Sequence, residues 1–189
     1  MTTNLKSQHL LSDMLKKYIP QCDKQHHIVM RFGKTTCTEY GVIQLPMDPN
    51  IISSLQSQIQ SNKSYKKTQV SGWRIYTNGI IYEQNKRSGE IIKQHRVVEN
   101  ALSSDNTVVE YIKVDEDTST IASIVKPNME EEYERSIYTC GESGINELEW
   151  WFEHSNLSKN VMVSCIMRKP VQFNKLWKQL QLFGLATDN

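Results

Sequence analysis

The sequence predicts an α+β fold: a large antiparallel β-sheet closed into a barrel, with N-terminal, middle and C-terminal helices packed outside it. Three observations predict it. Between residues 66 and 169, roughly seven β-favouring runs follow one another with no helical stripe between them, which implies an antiparallel meander. Helical spacing of apolar residues is confined to three segments, at the start, after two short strands, and at the end. Charged side chains recur at strand positions in alternation with apolar ones, so the sheet has a polar face.

Taken in order, Leu11, Met14, Leu15, Tyr18 and Ile19 fall at spacings of three and four, which stacks them on one helical face with Lys16 and Lys17 turned to solvent. Pro20 stops this N-terminal helix, expected within residues 1–20. Residues 27–32 form a strand candidate with Gly33 and Lys34 as its exit, and residues 40–45 a second short one ending before Pro46. Asp48-Pro49 is a helix-start signal, an acceptor side chain followed by a residue whose missing N–H costs nothing in a first turn. Ile51, Ile52, Leu55 and Ile59 then keep one face of a middle helix apolar.

The strand runs are 73–76, 79–82, 90–93, 108–114, 134–138, 147–152 and 161–164, with Thr77-Asn78-Gly79 and Arg87-Ser88-Gly89 as hairpin turns. The acidic segment 115–134, which contains Pro127-Asn128, reads as a long mobile loop. Phe173, Leu176, Trp177, Leu180 and Phe183 make a last amphipathic helix, ended by Gly184 where a left-handed cap is wanted.

Composition bounds the function. The 189 residues are 38% hydrophobic and 23% charged, which excludes a disordered tail or a collagen-like rod and suits one domain over 1–189. With 22 Lys and Arg against 21 Asp and Glu, the net charge of +1 argues against coating nucleic acid by bulk positive charge. It leaves room for a local cationic channel. The N-terminus lacks the apolar core of a signal peptide and no window approaches the ~18 apolar residues of a membrane span, so a soluble protein of the cytoplasm or nucleus with no membrane association is expected. Four cysteines show no zinc-site spacing.

One strand carries most of the chemical information. Along residues 147–153, Glu147, Glu149, Trp151 and Glu153 share one face, and Leu148, Trp150 and Phe152 share the other. Three carboxylates in an apolar core would need a charge or a metal beside them. Arg31, Arg74, Lys93, His95, Lys113 and Arg135 also fall at strand positions. If the strands form one barrel, cations and carboxylates converge on a polar interior while Leu148, Trp150 and Phe152 pack outward under the helices. Such an interior suits a polyanion held beside a carboxylate-bound Mg²⁺ or Mn²⁺. An antiparallel sheet with one solvated face alternates in the same way, and Trp151 on that face favours a site.

These residues resemble the triphosphate tunnel metalloenzymes, and within them the fungal and large-DNA-virus type of RNA 5′-triphosphatase that opens mRNA capping. The resemblance rests on the order of Met30-Arg31-Phe32-Gly33, the helix after Pro49, Trp73-Arg74-Ile75-Tyr76, Ile91-Ile92-Lys93-Gln94-His95-Arg96, Glu134-Arg135-Ser136-Ile137-Tyr138 and Glu147-Leu148-Glu149. It implies a β-tunnel binding an RNA 5′ end or a nucleoside triphosphate, with Arg31, Arg74, Lys93 and Arg135 as phosphate ligands. Glu147 and Glu149 would be the catalytic carboxylates holding Mg²⁺ or Mn²⁺.

The first strand departs from that pattern. Where the family carries metal-binding glutamates, this chain has His27 and Val29. Glu39, Glu110 and Glu116 are candidate substitutes for an active enzyme. Without them the resemblance implies a non-catalytic tunnel-fold subunit of a transcription or capping complex, as in the relatives of this fold in the Mediator head. Near-neutral overall charge would then hide a strongly cationic channel with a carboxylate floor. No Gly-rich phosphate loop, GxSxG, HExxH or dinucleotide fingerprint occurs.

Overall fold

The structure is a computed structural model; it describes residues 10–32, 35–38, 41–44, 48–77, 80–102, 107–115, 130–140, 148–156 and 158–186. Apolar spacing at the chain start produces helix α1 (Leu11–Tyr18), and Pro20 limits its continuation to a single 3-10 turn at Ile19–Gln21. Leu11, Met14, Leu15, Tyr18 and Ile19 are all buried, as the stripe predicts. Strand β1 (His26–Phe32) follows, then the short hairpin of β2 (Thr35–Thr38) and β3 (Gly41–Gln44). The sequence pattern at residues 40–45 predicts only the second strand of that hairpin. Asp48 caps α2 (Pro49–Ser61) by accepting from the Asn50 N–H at 2.9 Å, and Leu55 and Ile59 are its buried residues.

The large sheet comprises β1 with β4 (Tyr65–Thr77), β5 (Ile80–Asn85), β6 (Ile91–Leu102), β7 (Thr107–Asp115), β8 (Glu130–Cys140), β9 (Leu148–Ser155) and β10 (Ser158–Met167). Helix α3 (Phe173–Leu182) ends the described fold. The strands close a barrel in the order β1-β10-β9-β8-β4-β5-β6-β7. This corrects the expected single meander. β4 to β7 and β8 to β10 are two meanders, joined where β8 pairs back on β4 and where β1 lies between β7 and β10. Closure gives the terminal strands partners, so among the described residues this sheet has no outer edge strand.

The turn at Arg87-Ser88-Gly89 forms as expected: Asn85 Oδ1 accepts from the N–H groups of Arg87 (2.8 Å) and Ser88 (3.1 Å), and Gly89 has φ 74°. Asn78 and Gly79, Gly33 and Lys34, residues 1–9 and residues 116–129 lie outside the described residues. The expected acidic loop is shorter than 115–134, because Asp115 ends β7 and β8 already begins at Glu130. Its acidic run is strand because it alternates: Glu131 is buried, whereas Glu132 pairs with Lys86 outside.

Alternation also sorts the two barrel faces. Ile28, Met30, Phe32, Val109, Leu148, Trp150, Phe152, Val163, Cys165 and Met167 point outward and share one core with residues of all three helices, including Leu11, Leu15, Leu55, Ile59, Leu176 and Leu180. Trp150, fully buried, sits with its ring 6.4 Å from Phe32 and 5.6 Å from Phe183. Gln60 and Gln56 of α2 donate to the Tyr138 hydroxyl of β8 at 2.9 and 3.4 Å, fixing that helix across the sheet. Gly184 takes φ 76° and Leu185 N–H returns to the Leu180 carbonyl at 2.8 Å, closing α3 as predicted. Among the described residues no helix is long and apolar enough to cross a membrane.

Candidate functional site

The opposite set of side chains fills the barrel. Antiparallel register sets Arg74 of β4 opposite Glu83 of β5 and Glu131 of β8, and Arg135 of β8 opposite Glu153 of β9. Arg74 donates to Glu131 at 2.7 Å and to Glu153 at 2.6 Å. Arg135 donates to Glu83 at 2.7 and 3.3 Å and to Glu153 at 2.8 and 3.0 Å. Glu153 thus joins the two arginines.

Aromatic rings complete this arrangement. The Tyr133 ring lies 4.8 Å from the Arg74 guanidinium carbon and 4.4 Å from that of Arg135, which also sits 3.7 Å from the Trp151 ring centroid. A ring face is negatively polarised and a guanidinium is weakly hydrated, so stacking offsets part of the desolvation. The Tyr133 hydroxyl donates to Glu83 at 2.9 Å. Burial, reinforced by the Glu83 charge, raises its pKa above the usual value, so it remains a donor. Burial also works to raise the Glu153 carboxyl, but the Arg74 and Arg135 charges prevail and hold it below its usual value.

Gly72 makes room for this cluster. A Cβ there would stand 2.7 Å from the Tyr133 hydroxyl and 2.8 Å from the Gln84 carbonyl oxygen. The phenol can shift, but the strand carbonyl is fixed by its neighbours. Gly72→Ala is therefore expected to cost about 1–3 kcal/mol in urea unfolding, and Tyr133→Phe in the same chain should recover only part of it.

A second stretch of the interior is apolar. Val29, Ile112, Trp151 and Ile166 are buried together, with Val97, Val114 and Ile137 packed against them. Ile166 is in register with both Val29 and Glu149. The first-strand position that carries a glutamate in the resembled family therefore meets the Glu149 row across an isoleucine, inside an apolar cluster. Glu149 itself accepts from the Trp151 indole N–H and, at 3.1 Å, from Arg168.

Of the residues singled out in the sequence, Arg74 and Arg135 come together through Glu153. Arg31 instead pairs with Glu110, one of the candidate substitute carboxylates. The backbone of Lys93 is in register with Glu83. Glu147, Glu39 and Glu116 lie outside the described residues. In the Arg74–Arg135 group two guanidiniums face three carboxylates, and Arg31 is matched by Glu110.

Strand alternation places Glu153 on the correct face but does not reveal Glu83, Glu131 and Tyr133. Glu83 directly follows a recognised strand run, so extending that run by one residue would have found it. Glu131 and Tyr133 fall within the acidic segment 115–134 that the sequence predicts as a loop, whereas both belong to β8. Among the described residues no group of three or more His, Cys, Asp or Glu side chains is arranged to hold a metal ion.

No protein-family model matches the sequence, and no curated protein matches it. Solved structures do match. The Pct1 RNA triphosphatase of S. pombe superposes with a TM-score of 0.54 over 92% of this chain and 88% of that one, at 9% identity. The Mimivirus capping enzyme triphosphatase gives 0.54 over 94% and 96% at 11% identity. This is the tunnel fold of the RNA triphosphatases. The RNA triphosphatase domain of the trifunctional mimivirus capping enzyme agrees, at 0.54 over 93% and 94% with 12% identity. Pct1 is also known in complex with the Spt5 CTD. At these identities the likeness is one of fold, and the barrel that the resemblance implies is present.

Proposed function

We propose that this chain is an RNA triphosphatase-like tunnel protein that has given up metal-dependent hydrolysis and serves as a binding subunit of a transcription or mRNA-processing assembly. The observation that carries this reading is the content of the barrel. Mg²⁺ and Mn²⁺ take oxygen ligands, usually several carboxylates and waters together. Among the described residues Glu149 brings one carboxylate to the row where His27 and Val29 bring none, and Val29, Ile112, Trp151 and Ile166 make that level apolar. These residues do not fit a divalent metal.

The cations point the same way. A triphosphate approaching Arg74 or Arg135 would have to displace Glu83, Glu131 or Glu153, leaving a buried carboxylate unpaired at a cost of several kcal/mol. The Pct1 complex with the Spt5 CTD is consistent with a protein partner for this fold.

The fold likeness favours a second reading, in which Arg31, Arg74, Lys93 and Arg135 bind the phosphates of an RNA 5′ end or a nucleoside triphosphate while Glu147 and Glu149 hold Mg²⁺ or Mn²⁺. Phosphate release from 5′-triphosphorylated RNA with either metal separates the two. The expected result is no release above the metal-only control. A metal-dependent release that Glu149→Ala abolishes would establish the enzyme and remove the binding-subunit reading.

A further inference from the structure

β4 has a neighbour on each side in the sheet order, but the two neighbours cover it unequally. β8 runs beside it from Tyr65 to Ile75, whereas β5 pairs with it only from Gly72 to Thr77. The cause is length: β4 has 13 residues and β5 has 6, after which the chain turns at Arg87-Ser88-Gly89 into β6. Residues 65–71 therefore overhang the hairpin, with one side paired to β8 and the other facing no strand among the described residues. Lys66, Lys67, Thr68 and Gln69 are all exposed. One bond fixes which backbone groups face the open side. The Ser71 carbonyl accepts from the Lys86 N–H at 3.0 Å, just past the end of β5. The β4–β8 register runs without a shift from Tyr65 to Ile75, so alternation turns the N–H and C=O of Gln69 and Lys67 to the same side as Ser71, and those of Thr68 and Val70 toward β8.

We infer that this edge of β4, centred on Lys67 and Gln69, takes an extended acidic segment of a protein partner as an added strand. The backbone selects the class of partner. Donors and acceptors that alternate along an edge are matched by another peptide backbone, whereas a phosphodiester linkage offers acceptors alone. Charge and burial select its side chains. Lys67 stands on one face of the strand, where an acidic residue would meet it, and Val70 stands half-buried on the other, where an apolar residue would cover it. No Asp or Glu occurs between Asp48 and Glu83; the acid nearest in register is the exposed Glu134 of β8, opposite Ser71 at the far end of the overhang. A second copy of this chain is the poorer occupant, because its own Lys66 and Lys67 would be laid against these two on a short ribbon without an acid. The inference names a partner chemistry for the binding-subunit reading and rests on it.

The test uses the full chain and a peptide of about ten residues that alternates Glu and Val. Its binding should slow hydrogen exchange of the Lys67 and Gln69 amides by roughly tenfold or more and leave those of Thr68 and Val70, already turned to β8, unchanged. The same peptide N-methylated at alternate residues, and one with Lys in place of Glu, should each bind roughly tenfold or more weakly. Gln69→Pro removes an edge N–H and sets a ring on the open side without removing a donor to β8. It should abolish peptide binding with an unchanged circular dichroism spectrum, whereas Gln69→Ala should bind as the parent does. Lack of protection at Lys67 and Gln69, equal binding of the N-methylated peptide, equal protection of these amides by single-stranded RNA, or a parent dimer that Gln69→Pro dissociates would each overturn the inference. The probe carries no phosphate, so the two readings fail separately: metal-dependent phosphate release with the edge still protected removes the binding-subunit reading, and an unprotected edge without release removes this inference.

Discussion

Replacing Arg135 by alanine should lower the free energy of unfolding by about 3–5 kcal/mol, because it strands buried carboxylates without their partner. Arg135 is 3% exposed and engages both Glu83 and Glu153, which are 2% and 6% exposed. Arg74 retains its bond to Glu153 and the Tyr133 hydroxyl its bond to Glu83, but both of the Arg135 bonds to Glu83 are lost. The loss should shrink when Glu83→Gln is added, since a neutral amide costs less to bury than an unpaired charge. Acid offers a second readout. The folded pKa of Glu153 lies below the usual 4.5, so the stability it contributes is complete above that value and disappears as pH falls through the lower folded value. Without Arg135 the stranded carboxylates protonate more easily, so the deficit of the variant should be smaller near pH 4 than at pH 7. Urea titrations at both pH values measure this. A deficit below about 1 kcal/mol, independent of pH, would mean the cluster is effectively solvated.

The contrast between Glu153 and Glu131 shows where sequence reading succeeds. Period-two alternation places Glu149, Trp151 and Glu153 together whatever the strand pairs with, and it puts Leu148, Trp150 and Phe152 under the helices, where they are. The helices were equally readable, because the stripe Leu11, Met14, Leu15, Tyr18 and the cap at Asp48 are local signals. Glu131 is different. It is buried against Arg74, 57 positions earlier in the chain, and nothing local distinguishes it from the half-buried Glu132 beside it. Closure of the barrel came with the resemblance to the tunnel fold, but the strand order did not, since β8 pairs with β4 across three intervening strands, β5, β6 and β7. Alternation brings cations and carboxylates into one polar interior, but it does not say which arginine pairs with which glutamate. Whether a cation in a barrel meets a substrate or a neighbouring glutamate depends on register, and register is a property of paired strands.

Restoring the first-strand carboxylate tests the apolar level directly. In Val29→Glu the new side chain enters the cluster of Ile112, Trp151 and Ile166, where Val29 is 2% exposed. The expected result is destabilisation of about 3–5 kcal/mol at pH 7, the range for a buried charge without compensation. Here the sign of the pH dependence follows from desolvation: burial raises the folded pKa of such a carboxyl above its unfolded value, so the penalty is present at pH 7 and relaxes as acid neutralises the group. Arg31, two residues along the same strand face, is already committed to Glu110 and offers only shared compensation. Millimolar Mn²⁺ should leave the midpoint of Val29→Glu unchanged, because one added glutamate beside Glu149 still faces isoleucine and tryptophan where further oxygen ligands would be required. A metal-dependent rise in stability, which mass action would produce for any ion bound to the folded state alone, would instead show that a single substitution had separated this barrel from a metal-binding tunnel.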